Sequence, residues 1–341
     1  MNSGPIRVGI IGAGRIGKVH AQNLAFRIPD VQIAAITDME RSAAEAVARS
    51  CNIPSVAASA DEIFRDQAID AVLICSPTDT HSHLIVEAAR HGKHIFCEKP
   101  IALNLPEIDR ALDAVTTAAV QLQVGFNRRF DANFARVRKA IAGSEVGQPN
   151  LLHIISRDPA PPPIAYVRSS GGMFLDMSIH DFDMARYLLG EEPHEIYTMA
   201  GVMVDPEIGN AGDVDTALTL LRFPSGAMAV IDNSRRASYG YDQRVEVLGD
   251  RGKVETMNCF PNQAVVSDGQ SVRRDLPLNF FMDRYTESFV EEMREFIAAL
   301  REKRPPAVTG KDGRMAVVIA LAARQSHLQR RPVSIQEIGA R

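Results

Sequence analysis

Only four cysteines occur in the 341 residues, at positions 51, 75, 97 and 259. They form no CxxC pair and no zinc-ligand spacing, so neither a redox dithiol nor a zinc cradle is indicated. A chain of this length needs no disulfide framework to hold its core, and a reducing cytoplasm is the expected location. Long apolar runs are missing as well. The longest, "MAVVIALAA" at 315–323, falls far short of a bilayer span. The chain enters a strand-like run almost at once, so no signal peptide is expected. Charge of one sign is also missing: the net charge is −4 and no stretch collects like charges. That argues against nucleic acid or an acidic membrane as the main partner. What is left is 45% hydrophobic and 23% charged, the composition of a soluble globular protein with room for two domains.

The first 125 residues carry the strongest motif. "IRVGII" reads as a buried strand, and "GAGRIG" follows it: Gly12, Ala13, Gly14, Arg15, Ile16 and Gly17. In this G-x-G-x-x-G the first glycine allows a tight turn and the second lets the backbone approach a pyrophosphate. The third lets helix and strand pack closely. The helix that follows offers unpaired N–H groups and a positive dipole end to the phosphates. A second strand, "VQIAAITD", ends in Asp38. A carboxylate there accepts from both hydroxyls of an adenosine ribose and repels a 2′-phosphate, which favours NAD over NADP. Met39 follows where an NADP site more often has a basic residue, although Arg41 is close.

Strand-like and helix-like segments then alternate as far as "VQLQVGF", which implies a parallel, doubly wound Rossmann sheet over residues 1–125. Ligands on such sheets sit beyond the carboxyl ends of the strands. "GAGRIG", "SPTDTH" and "EKP" all end there, so Ser76, Pro77, Thr78, His81, Glu98 and Lys99 are expected to edge the cofactor. From 126 to 341 the pattern changes to a helix, a proline-rich loop, a run of strands with hairpin turns at "FPSG" and "LGDRGK", and two helices. This predicts an α+β domain over 126–341 with a large open, mostly antiparallel sheet. Tyr285, Phe289, Met293, Phe296 and Leu300 recur at helical spacing and read as core.

Two sites could carry chemistry. "CEKP" puts Lys99 at a strand end before Pro100, which confines it to extended geometry. There its ammonium can hydrogen-bond a substrate hydroxyl, or it is simply a lysine at a surface turn. "DMSIHDFD" spaces Asp176 and His180 four apart. In one helix they share a face, as an orienting carboxylate and a general base do. The other readings are a metal site, for which two ligands are too few, or a helix cap beside a core histidine. Asp181 and Asp183 are expected to be solvated or packing residues.

Taken together, "GIIGAGRIG" with Asp38, "SPTDTHSHL", "FCEKP", "GFNRRF" and "DMSIHDFDMARYLLG" resemble the Gfo/Idh/MocA oxidoreductases, in order and over nearly the whole chain. Within that family, "GFNRRFD", "SRDPAPPP" and "NSRRASYGYDQRVEV" are similar to the bacterial members that oxidise inositol. The resemblance implies NAD-dependent oxidation of myo-inositol at C2 to 2-keto-myo-inositol, in a homotetramer formed through the open sheets. It assigns catalysis to Lys99, Asp176 and His180, which would also touch the polyol. Further polyol contacts would fall on Asn127, Arg128, Tyr241 and Tyr285, with Asp158 in the variable loop, and no metal is implied. Open alternatives are a dehydrogenase of scyllo-inositol, glucose or another aldose, and a non-catalytic NAD(H)-sensing regulator.

Overall fold

The computed structural model describes residues 4–339. It divides into two compact units, one running to residue 130 and including 287–317, the other comprising 131–286 and the residues from 318 onward. A single boundary near residue 125 was the simpler expectation. The difference comes from the helical segment after 286, which completes the core of the first unit.

The sheet of the first unit contains β1 (Ile6–Ile11), β2 (Val31–Thr37), β3 (Ser55–Val56), β4 (Ala71–Ile74), β5 (His94–Glu98) and β6 (Leu122–Gly125). Its order is β3-β2-β1-β4-β5-β6 and every pairing is parallel. Between the strands run α1 (Arg15–Phe26), α2 (Arg41–Cys51), α3 (Ala60–Arg65), α4 (Thr78–Arg90) and α5 (Leu105–Thr117). A sheet covered on both faces needs strands that are apolar throughout, and β4, "AVLI", is buried at all four positions. Helix starts are marked locally: the Ser59 and Asn104 side chains accept from the N–H groups of Glu62 and Glu107. The order of strands reverses at β1, and that reversal opens a crevice at the carboxyl ends.

Met293, Phe296 and Ile297 of the helix Thr286–Glu302 join Val8, Ile10, Leu24 and Phe96 in one core cluster. Phe289 is buried and Leu300 half-buried, as the helical spacing predicts. The outer edge of β6 is covered too. Val124 N–H donates to Val308 C=O at 3.1 Å, and Gln123 bridges Thr309. An uncovered edge strand would expose unpaired backbone groups, so residues 308–309 belong with this unit for a physical reason.

The second unit starts with α6 (Ala132–Ala142), β7 (Pro149–Arg157), α7 (Ile164–Ser169), α8 (Gly172–Asp176) and α9 (Ile179–Leu189). The strands β8 (Glu195–Gly201), β9 (Thr216–Arg222), β10 (Met228–Ser234), β11 (Asp242–Gly249), β12 (Gly252–Thr256), β13 (Val265–Ser267), β14 (Val272–Arg274) and β15 (Val333–Ser334) follow. Seven of these form a sheet of order β12-β11-β7-β10-β9-β8-β15, while β13 and β14 pair separately. The sheet is antiparallel except between β7 and β10. Hairpins close at "FPSG" and "LGDRGK" as expected. The sequence reading did not anticipate α7 or β15. One face packs inward through Ile154, Ala217, Leu221, Ala229, Ile231 and Val247, and the other leaves Leu151, Met199, Leu218, Leu220, Met228 and Leu248 exposed.

Candidate active site

The glycine loop is built as its spacing demands. Gly12 has φ +105°, in the region closed to most side chains, and a Cβ there would lie 2.6 Å from the Cys75 carbonyl. A Cβ on Gly17 would lie 2.0 Å from the Gly12 carbonyl oxygen, so only glycine lets α1 sit this close to β1. The loop is tied to both neighbouring strands. Gly12 N–H donates to Thr37 C=O, and Cys75 N–H donates to Ile11 C=O, each at 2.8 Å. Asp38 is half-buried, and its carboxylate accepts from Ala13 N–H at 2.6 Å and Glu40 N–H at 2.8 Å. Each oxygen keeps a lone pair for a further donor. Met39 is fully exposed, and Arg41 is occupied with Glu45 one turn along α2.

These residues fit a dinucleotide. A Cβ built on Gly14 meets nothing within 4 Å, so the loop is open where a pyrophosphate approaches. Helix α1 starts at Gly14 without a side-chain cap, the usual anchor for such a group. Ser76, Pro77 and Thr78 occupy the turn from β4 into α4, braced by a 2.6 Å contact between the Ser76 and Thr80 hydroxyls.

Two residues expected at the cofactor's edge have other work. His81 is 1% exposed, and its ring nitrogens lie 2.8 Å from the carbonyl oxygens of Ser76 and Pro100. Burial outweighs both contacts and pulls its pKa below the ordinary histidine value. His81 is a strut that ties the "SPTDTH" loop to the segment after Lys99. Glu98 turns inward, with Oε1 2.8 Å from His20 Nε2. Lys99 follows at the end of β5, half-buried, with a cis bond to Pro100. Asn127 and Arg128 lie just past β6 in a short 3-10 turn, both buried.

The second unit holds Asp176 and His180. Asp176 and His180 do not share one helix: Asp176 ends α8, and His180 is the second residue of α9. The break comes at Met177 and Ser178, whose N–H groups both donate to Met173 C=O. Ser178 Oγ donates to Asn233 Oδ1 at 2.7 Å, and Asn233 Nδ2 donates to Asp181 Oδ2 at 2.8 Å. Asn233, wholly buried on β10, therefore pins the first turn of α9 that carries His180. Asp181 and Asp183 are not solvated. Asp181 is bound to Asn233, and Asp183 pairs with Arg186 at 3.2 Å, both buried. Neither is available to a metal at this position.

Asp176 accepts from the Tyr166 hydroxyl at 2.9 Å. Beside it lies Arg235, 1% exposed, with Nη2 3.6 Å from Asp176 and 4.0 Å from Asp213. A buried cation between two partly exposed carboxylates is paired with both. Asp213 also accepts from Met173 N–H at the start of α8. Sequence reasoning missed Arg235, Asp213 and Asn233. The signal was present in "NSRR", two arginines and an asparagine at a strand end.

The other substrate candidates of this unit are spread out. Asp158 continues β7, its N–H donating to Ser234 C=O at 2.9 Å, beside the end of β10 that carries Asn233 and leads into Arg235. Tyr241 and Tyr285 meet edge to face at 6.1 Å, both buried. The Tyr285 hydroxyl donates to Gln243 Oε1 at 3.3 Å, which makes Tyr285 the core residue its helical spacing suggests.

A parallel sheet of this order, with an open glycine loop at its crevice and a half-buried aspartate just past β2, carries the fold of a dinucleotide-dependent oxidoreductase. Comparison with known proteins takes this further. Residues 6–126 match the oxidoreductase family with an NAD-binding Rossmann fold, and 134–255 match the GFO/IDH/MocA C-terminal domain. The chain belongs to the Gfo/Idh/MocA oxidoreductase family and is an NAD-dependent enzyme. It is 47% identical to the myo-inositol 2-dehydrogenase of Thermotoga maritima, over 98% of this chain and 99% of the relative. Identity to the inositol 2-dehydrogenase of Rhizobium meliloti is 46%, over 97% and 99%. The crystal structure of a probable dehydrogenase from Thermotoga maritima matches with a TM-score of 0.96 at 47% identity, covering 97% of this chain and 99% of that one.

Proposed function

We propose that the chain oxidises myo-inositol at C2 to 2-keto-myo-inositol. The observation that carries the substrate is the near-complete coverage of two inositol 2-dehydrogenases at 47% and 46% identity. His180 takes the proton of the C2 hydroxyl as general base. Asp176 orients the imidazole and balances the charge it gains, with Arg235 and Tyr166 holding the carboxylate. Lys99 donates a hydrogen bond to the same substrate oxygen and stabilises the negative charge that develops on it. Asn127, Arg128 and Asp158 supply polar groups for the remaining hydroxyls. Tyr241 and Tyr285 support these contacts from the core side. When bound, NAD supplies the hydride acceptor.

The test is a panel of inositol stereoisomers and sugars assayed by NADH absorbance, with NAD and with NADP. The highest kcat/KM is expected for myo-inositol with NAD. Slow turnover of myo-inositol beside rapid turnover of scyllo-inositol, glucose or another aldose would move the chain to another branch of the family. No turnover of any polyol would favour an NAD(H)-sensing regulator.

The same reading includes a homotetramer. On the outer face of the second sheet, register stacks Leu151 beside Met228, Leu218 beside Met199, and Leu220 beside Tyr197. A contiguous exposed apolar face of this kind is covered in stable proteins, and a second copy of the same face fits it. Light scattering is expected to return four copies per particle, and a monomer at micromolar concentration would reject the assembly. No helix among the described residues is long and apolar enough to cross a membrane. Four free cysteines fit action in a reducing cytoplasm, and inositol catabolism is the role this reading implies.

A further inference from the structure

We propose that Glu98 and Glu292 share one buried proton beside His20, and that this proton positions the strand end carrying Lys99. The cluster lies within the first unit and has no part in the roles assigned above. His20 is on α1, just past the glycine loop, and is 0% exposed. Glu98 is the last residue of β5. Glu292 comes from the helix Thr286–Glu302 and is 0% exposed. One polar atom from each of the three lies within 4.8 Å of the others. The surroundings are apolar: the His20 ring meets Phe96 at 5.0 Å and Phe289 at 5.8 Å, both edge-on.

The hydrogen bonds are incomplete in an informative way. Glu98 Oε1 accepts from His20 Nε2 at 2.8 Å. Neither carboxyl oxygen of Glu292 has a donor from the protein, although both are fully buried. An ionised Glu292 would thus be a bare anion in an apolar pocket, next to a second carboxylate. A protonated Glu292 removes the charge and gains a hydroxyl that donates to Glu98. Two carboxyl groups this close hold one proton between them for the same reason that like charges at short range do not both ionise. Burial first, and the charge of Glu98 second, push the pKa of Glu292 well up. The other titratable groups facing the cluster are the thiols of Cys75 and Cys97, both pushed up by burial and so neutral.

The spacing also suits a metal ion, but the contacts favour the proton. His20 and Glu98 are already at hydrogen-bond distance, and the burial of His20 and Glu292 leaves no entry path.

Position follows from connectivity. Lys99 lies between two anchored neighbours, Glu98 held by the shared proton and Pro100 held by His81. Loss of the shared proton leaves Glu98 held by His20 alone and loosens one of the two anchors. This positioning claim rests on the reading of Lys99 as a catalytic residue; the place of the proton does not.

The test uses the intact chain. Infrared spectra at pH 8 are expected to show the carbonyl stretch of a non-ionised carboxyl group, absent from Glu292→Gln. A wild-type spectrum without that band, or a stoichiometric divalent metal in the purified protein, would overturn the proton's place. A raised pKa in the folded state adds stability below the ordinary glutamate value of about 4.3, and that stability is lost as pH rises through the folded value. The Tm of Glu292→Gln should therefore climb relative to wild type as pH rises from about 5. A flat difference counts against the proposal. Glu98→Gln, which lacks the carboxylate, is expected to lower kcat about tenfold, with KM and NADH binding nearly unchanged. An unchanged kcat would overturn the positioning claim alone. Full turnover by Lys99→Met would overturn the functional reading and leave the proton where it is.

Discussion

His180→Ala is expected to lower kcat by about 10²–10⁴-fold, the usual contribution of a positioned general base, while NADH binds as in wild type. The alcohol proton must leave as hydride does, and no other imidazole or carboxylate is assigned to take it. Asp176 already accepts from Tyr166 and faces Arg235, and these contacts fix its position. Lys99→Met should cost a comparable factor, because it removes the donor to the developing oxyanion and keeps the stem's volume. Cofactor affinity is read separately, by fluorescence titration with NADH, since the glycine loop and Asp38 are untouched in both variants. If either variant turned over at the wild-type rate, the catalytic assignments would be wrong. If NADH affinity fell in parallel with kcat, the residues would be holding the fold or the cofactor instead.

Asp131→Ala is expected to destabilise the second unit by about 3–5 kcal/mol, the cost of leaving one partner of a buried ion pair alone. The Asp131 and Arg284 side chains are 8% and 3% exposed. Both carboxylate oxygens accept from the guanidinium, and Oδ1 also accepts from the N–H groups of Asn133 and Phe134 at the start of α6. The guanidinium lies 4.6 Å from the centroid of the Tyr285 ring, so it cannot swing to water without opening the core. Burial is the largest single influence and lowers the pKa of Arg284, but the bond to Asp131, the Asp131 charge and the Tyr285 and Cys259 side chains together outweigh it, and the net shift is upward. Replacing both members, Asp131→Asn with Arg284→Met, should recover part of the loss because no bare charge remains. Chemical denaturation measures this directly. A loss below about 1 kcal/mol would mean that the pair behaves like a surface salt bridge.

Some of this was legible residue by residue. "GAGRIG" is local: the strand before it, the helix after it and the backbone of Gly12 are set by neighbours a few positions away. Asp38 was readable for the same reason, because it ends the next strand. The local structure around Asp176 and His180 was only half legible. Spacing of four implies one helix, yet the chain breaks at Met177 and Ser178. The partner responsible is Asn233, which holds both Ser178 and Asp181 from 55 and 52 residues away. His81 shows the limit from the other side. It reads as a residue at a loop's rim, and burial together with two carbonyl contacts makes it a strut.

The sequence by itself determined a parallel dinucleotide-binding sheet, an open second sheet and the NAD-binding loop, and it singled out the three residues proposed for the catalytic chemistry. Those are products of short-range periodicity, glycine geometry and strand-end position. Tertiary structure alone decided which side chains stand behind them. Arg235 reaches Asp176 from just past another strand, and Asp213 reaches Arg235 from another loop. Glu292 reaches Glu98 from a helix nearly two hundred residues later. Charges this far apart in sequence leave no periodic trace. Their effect exists only once burial has removed the water that would otherwise screen them.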